Sequence, residues 1–296
     1  MSELFDGRFR LERRSIDNVA INVRIGGHGP PLLLLHGFPQ THVIWHKVAP
    51  SLAEHYTLVM PDLRGYGDSD RPASGPDHAG YSKRAMAGDM ARLMHALGFD
   101  AFFACGHDRG GRVAHRLALD WPQMVRQLVL LDISPTRTMY ERTNMDFARM
   151  YYHWFFLIQP EPLPEKMIGA DPGFYLRTKM GGWGTQRLDI FDPRALAEYE
   201  RCFALPGAIH AMCEDYRASA GIDLDHDRAD AAQKIACPLH VLWGERGVVH
   251  RVFTPISDWQ EKCAIPVTGR PLPCGHYIAE ELPEDLGTEL RGFFAV

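Results

Sequence analysis

Apolar residues fall along this chain in short unbroken blocks, separated by longer stretches of helical spacing. Pro31-Leu32-Leu33-Leu34-Leu35 and Leu128-Val129-Leu130-Leu131 are runs of the kind and length that form strands buried on both faces. Residues 57–60, 101–104 and 239–244 repeat that pattern, and a further short strand is predicted within 265–272. Residues 9–15 and 19–25 read as two strands joined by a turn at Asp17-Asn18. Helices are predicted over 45–54, over 82–97, where Ala85, Met86, Met90, Leu93, Met94 and Leu97 keep near-helical spacing, after residue 112, and over 280–294. Strands alternating with helices predict an α/β fold with a mostly parallel sheet flanked by helices. The rhythm breaks between Pro135 and Asp225, which carry helical and aromatic stretches without a strand pattern, and Pro160, Pro162 and Pro164 forbid a continuous helix there. The expected organisation is a core over 1–134, an inserted helical cap over 135–225, and the rest of the core over 226–296.

Composition narrows the function classes. With 46% hydrophobic and 23% charged residues the 296-residue chain is of ordinary globular type, and its formal net charge of −5 gives no reason to expect nucleic acid as a partner. The longest aliphatic run is far too short to span a bilayer, so no membrane association is expected. The polar start of the chain lacks an apolar export core, and the six cysteines contain no Cys-x-x-Cys pair. Reduced thiols and a cytoplasmic protein are the expectation. Gly65-Tyr66-Gly67 is not a dinucleotide loop, because the third glycine position holds Asp70. His42 and His46 have metal-like spacing, but Val43 stands where a zinc protease needs glutamate, so neither metal nor cofactor is expected.

The chemistry concentrates at Cys105-Gly106-His107-Asp108-Arg109-Gly110-Gly111-Arg112, between a predicted strand and a predicted helix. Gly-x-Asp-x-Gly is the nucleophile elbow of α/β-hydrolases with a carboxylate in place of serine. Small residues let the strand turn sharply into the helix, and the helix N-terminus favours an anion there. Asp108 is therefore the candidate nucleophile. His276, in the turn after the last strand, is the candidate base, since its ordinary pKa of about 6.5 suits proton transfer near neutrality. The acid that orients it is either Asp132, at the end of the strand after the elbow helix, or Glu245, beyond Leu242-Trp243-Gly244. Backbone N–H groups of Phe38 and Arg109 are placed to form an oxyanion hole. Arg109 and Arg112, three residues apart, share one side of a helical turn and point to a substrate with its own carboxylate.

Four stretches carry a family resemblance: residues 106–112, His36-Gly37-Phe38-Pro39-Gln40-Thr41-His42, Tyr152-His153-Trp154 and Cys213-Glu214-Asp215-Tyr216-Arg217. Together they resemble the fluoroacetate (haloacetate) dehalogenases, over essentially the whole chain. The resemblance implies Asp108 as nucleophile, His276 as base and Asp132 as its partner. It implies Arg109 and Arg112 on the carboxylate of a small halogenated acid, and His153, Trp154 and Tyr216 on the departing halide. A homodimer is implied as well. Epoxide hydrolases place aspartate at the same elbow, and in that alternative Tyr152 and Tyr216 would protonate the opening ring. The glycines around Trp183, in Gly181-Gly182-Trp183-Gly184, bear on pocket shape.

Overall fold

The computed structural model describes residues 4–182 and 187–295; Trp183 and Gly184 lie outside the described residues. Eight strands form one sheet: β1 (Phe9–Ile16), β2 (Val19–Gly27), β3 (Pro31–Leu35), β4 (Thr57–Pro61), β5 (Phe102–His107), β6 (Val125–Leu131), β7 (Leu239–Gly244) and β8 (Thr268–Leu272). Their order is β1-β2-β4-β3-β5-β6-β7-β8. The β1–β2 and β2–β4 pairs are antiparallel and the rest are parallel. Ile16 pairs with Val19, so Asp17-Asn18 is a two-residue hairpin turn, and Asp17 takes the positive φ of 52° that such a turn requires. The apolar runs within β3, β5 and β6 lie in the middle of the sheet with the helix Arg109–Asp120 against them, which is why these runs lack polar alternation.

Helix boundaries follow local chemistry. The helix Lys83–Ala96 starts where Ser82 accepts a hydrogen bond from the Ala85 N–H. The helix expected over 45–54 is instead a 3₁₀ turn, His42–Trp45, and a single turn, Ala49–Leu52. Pro50 lacks the N–H that would continue the first into the second. The closing helix is likewise two, Ile278–Glu281 and Pro283–Phe293, divided at Pro283. Between β6 and β7 the described chain runs through helices from Thr136–Glu141 to Ile222–Ala229 and contains no strand. Pro160 and Pro162 separate His153–Phe156 from Leu163–Gly169, and Pro164 falls in the first turn of the latter, where its missing N–H costs nothing. Among the described residues no helix is long and apolar enough to cross a membrane.

Central to this scaffold is the turn from β5 into the helix Arg109–Asp120, the elbow helix. A Cβ at Gly110 would lie 2.3 Å from the carbonyl oxygen of His36 and 2.5 Å from that of Leu35, and one at Gly106 would lie 2.5 Å from the carbonyl oxygen of Gly110. All these are backbone atoms, so neither position has room to relax. Gly110→Ala is expected to lower unfolding stability by about 3 kcal/mol or to prevent folding, as overpacking against backbone does. Denaturant unfolding checks this, and a wild-type midpoint would contradict it.

Candidate active site

At the tip of the elbow, Asp108 adopts φ 48° and ψ −115°, a conformation imposed on a non-glycine residue by its surroundings. It is 4% exposed. The Phe38 N–H donates to Asp108 Oδ1 at 3.1 Å. Gly37 permits that approach, because a Cβ on it would lie 2.5 Å from the Asp108 Cβ. The Arg109 N–H opens the elbow helix and is one of the first-turn donors without an acceptor inside the helix. Phe38 thus presents a backbone donor to the carboxylate, and the Arg109 N–H follows Asp108 directly in the chain. Burial pushes the Asp108 pKa up, but the positive charges of His276 and Arg112 outweigh it and hold the carboxyl below its ordinary range.

The loop carrying Phe38 is fixed by His36, whose Nε2 accepts from the Leu63 N–H at 3.0 Å, while the Leu63–β4 side is anchored through Asp62. Asp62 accepts from the His42 N–H and lies 2.8 Å from the His42 ring nitrogen. The His46 ring bonds the Val43 carbonyl. These two histidines hold local structure through these contacts.

His276 Nδ1 lies 2.6 Å from Asp132 Oδ2, and Asp132 Oδ1 accepts from the Gly244 N–H at 2.9 Å. Asp132 also has a positive φ, 52°, at the end of β6. Glu245 is exposed, so of the two carboxylates considered for this contact it is Asp132 that meets the ring. Burial lowers the His276 pKa, but the hydrogen bond and charge of Asp132, followed by the charge of Asp108, more than reverse this and raise it. His107 packs behind, its ring 4.5 Å from that of His276 and its Nε2 2.9 Å from the His276 carbonyl oxygen. Desolvation and the neighbouring His276 depress His107 to about 3, so it is a neutral donor to that carbonyl.

The two arginines are both buried, and differently partnered. Arg109 grips Asp215 through Nε and Nη2, at 2.9 and 2.7 Å. Its Nη1 is buried without a hydrogen bond among the described residues. Arg112 donates from Nη1 to Thr136 Oγ1 and the Ser134 carbonyl, and its Nη2 touches the Met139 sulfur. Among the described residues no carboxylate forms an ion pair with Arg112. Burial lowers its pKa, opposed chiefly by the charge of Asp108. Arg112 is thus a desolvated cation whose main electrostatic counterpart is the candidate nucleophile.

His153, Trp154 and Tyr216 come together as an aromatic wall. The Tyr216 ring lies 5.6 Å from His153 and 6.3 Å from Trp154, and Phe38 packs 5.4 Å from Tyr216. Arg109 sits over the Tyr216 ring at 4.2 Å and Arg112 over the Trp154 ring at 4.7 Å. The Trp154 Nε1 and Tyr216 hydroxyl are buried with no hydrogen bond among the described residues. Burial holds His153 well below its ordinary pKa, so the ring is neutral. Tyr152 sits at the outer edge of this wall: it is 42% exposed, its ring lies 6.4 Å from that of His153, and Lys179 lies over its face. Tyr151 is the inward residue, its ring 6.5 Å from His276. Asp215 and Tyr151 are the residues that sequence reading undervalued. The spacing of Asp215 and Ser219, four apart on one helix and both bonded to Arg109, was the available signal.

Residues 30–193 match the family model described as alpha/beta hydrolase fold, and the chain belongs to that family. Within it the chain is similar to the fluoroacetate dehalogenase of a Burkholderia species, 47% identical over 294 residues that cover 99% of this chain and 95% of that protein. The likeness expected from the motifs is borne out. A soluble epoxide hydrolase from Corynebacterium sp. (strain C12) is 34% identical, covering 91% of each chain. Among solved structures, an alpha/beta hydrolase from Nostoc sp PCC 7120 superimposes with a TM-score of 0.95 at 54% identity, over 97% of this chain and 98% of that one.

Proposed function

We propose that this hydrolase removes halide from haloacetates, with fluoroacetate giving glycolate and fluoride, through a covalent ester on Asp108. The observation that carries the reading is Arg112, a buried cation beside the nucleophile with no carboxylate partner among the described residues. A substrate carboxylate supplies the directly bonded counter-charge that Asp108, which forms no ion pair with Arg112, does not, and an epoxide supplies none. The Arg109 Nη1 offers a second donor to the same carboxylate. The helical segment 135–225 serves as a cap that contributes His153, Trp154 and Tyr216.

Asp108 Oδ1 is engaged by the Phe38 N–H, which leaves Oδ2 to attack the halogen-bearing carbon from the side opposite the leaving group. The carbon–halogen bond breaks as the carbon–oxygen bond forms. The departing halide receives the Trp154 Nε1–H, the Tyr216 hydroxyl and the neutral His153 ring. Fluoride is strongly hydrated, and fixed donors in a dry pocket replace that hydration without reorganising during the reaction. A water then gives a proton to His276 and attacks the Asp108 carboxyl carbon. The oxyanion rests against the Phe38 and Arg109 N–H groups; its collapse breaks the ester C–O bond, the leaving glycolate oxygen takes the proton from His276, and the Asp108 carboxyl releases its own proton to return to the carboxylate.

Esterification removes one of the charges that holds the proton on His276. The base therefore becomes easier to deprotonate at the moment it is needed. Hydrolysis of the preformed ester is expected to rise with pH and level off, with a midpoint below that of His276 in the resting enzyme measured by NMR. An equal or higher midpoint would contradict this coupling.

The test is halide release from fluoroacetate and chloroacetate, with Asp108→Asn as control and styrene oxide alongside. Fluoride release abolished in the control supports the reading. Diol from the epoxide, with no halide from either acid, favours the epoxide hydrolase alternative, in which Tyr216 would act with Tyr151 in place of the outward-facing Tyr152.

A further inference from the structure

Arg109 has few free donors. Its Nε donates to Asp215 Oδ2, and its Nη2 donates to Asp215 Oδ1, the Asp215 carbonyl and Ser219. This fork-to-fork pairing fixes the guanidinium plane and leaves Nη1 as the open edge. Asp215 has further partners: the Tyr66 hydroxyl donates to Oδ2 at 2.6 Å, and Lys83 Nζ contacts Oδ1. Lys83 also lies 3.4 Å from Asp223 Oδ2, and its backbone N–H donates to Asp223 Oδ1. All four charged side chains are buried. Two cations, Arg109 and Lys83, therefore face two anions, Asp215 and Asp223, and the quartet is neutral. Arg112, outside it, is not balanced in this way.

We infer that Asp215 and Lys83 are positioning residues that aim Arg109 and cancel its charge, so that Arg112 alone supplies the net charge that selects a carboxylate substrate. The inference rests on the reading of the substrate as a halocarboxylate. It gives the arginines different tasks. Arg109 is a directed hydrogen-bond donor whose charge is already matched, and it is thereby kept from pairing with Asp108 and blunting the nucleophile. Asp215 directly precedes Tyr216 on the helix Ala208–Ala220, so one turn carries both the partner of Arg109 and a donor of the aromatic wall.

A purely structural ion-pair network would predict that every disruption weakens binding. The charge argument predicts opposite signs. Asp215→Asn adds one net positive charge beside the site and is expected to tighten glycolate, measured by calorimetry, on the order of tenfold. It should lower KM for fluoroacetate and also kcat, because the released Arg109 pairs with Asp108. Lys83→Met removes one positive charge and is expected to weaken glycolate by a similar factor. Asp223→Asn shifts the charge in the same direction as Asp215→Asn from further away, and it decides the sign if Asp215→Asn does not fold. Wild-type protein that releases halide and binds glycolate, with all variants binding more weakly, overturns the inference alone. Wild-type protein that neither releases halide nor binds glycolate overturns the functional reading and this inference with it.

Discussion

His276→Ala is expected to stop the enzyme after a single turnover, with one glycolyl ester per chain left on Asp108. In the proposed reaction the two half-reactions need different groups. Halide displacement needs an ionised Asp108, and the neighbouring positive charges hold its carboxyl below the ordinary range. Removing His276 takes away the largest of those favourable charges, but Arg112 and Arg109 remain, so Asp108 stays ionised near neutrality. Ester hydrolysis needs a base within reach of water, and the imidazole bonded to Asp132 at 2.6 Å is the group oriented for it. Losing a general base slows a step by about 10²–10⁴-fold. The effect falls entirely on the second step, so ester accumulates and steady-state turnover drops by that factor. A burst of halide equal to the enzyme concentration, and intact-protein mass with peptide mapping to Asp108, provide the check. Slow turnover without adduct would place His276 in the first step and refute the division of labour. Asp132→Asn should give a milder form of the same phenotype, since the ring keeps a partner but loses the charge that raises its proton affinity.

Much of this arrangement was legible in the sequence because its causes are local. The glycines of the elbow signal a turn where backbone meets backbone, and a Cβ at Gly110, which would come within 2.3–2.5 Å of two carbonyl oxygens, shows why. The apolar runs within β3, β5 and β6 mark central strands because burial on both faces selects against polar residues without a partner. Three features were missed. The helix expected over 45–54 failed at Pro50, a backbone effect visible in the sequence but outweighed there by apolar spacing. The direction of Tyr151 against Tyr152 depends on where a short helix begins, at His153, which residue spacing does not define. The partner of Arg109 was harder still. Asp215 lies 106 positions away, and only the tertiary fold, which brings this residue of the helix Ala208–Ala220 within hydrogen-bond reach of Arg109, joins the two.

Arg112→Met should separate recognition from folding. Methionine is of similar length and apolar, and removing a buried charge that lacks a carboxylate partner relieves a desolvation cost. Against this, the Ser134 carbonyl and Thr136 hydroxyl each lose a donor, a penalty of about 1–3 kcal/mol for a buried group. The two effects oppose one another, so thermal stability is expected to change little. Catalysis should not be spared. A charge-assisted hydrogen bond contributes about 1.5–3 kcal/mol, and loss of the net charge in a dry pocket adds to it, so kcat/KM for haloacetates should fall by about 10²–10⁴-fold. Chloroacetamide, the uncharged analogue, provides the internal control. Its kcat/KM should change far less, and the preference for acid over amide should collapse. Arg112→Lys should recover part of the preference, since it restores the charge without the planar fork. Equal losses on acid and amide would mean that Arg112 shapes the pocket or steadies Trp154, whose ring it covers at 4.7 Å, and does not read the carboxylate.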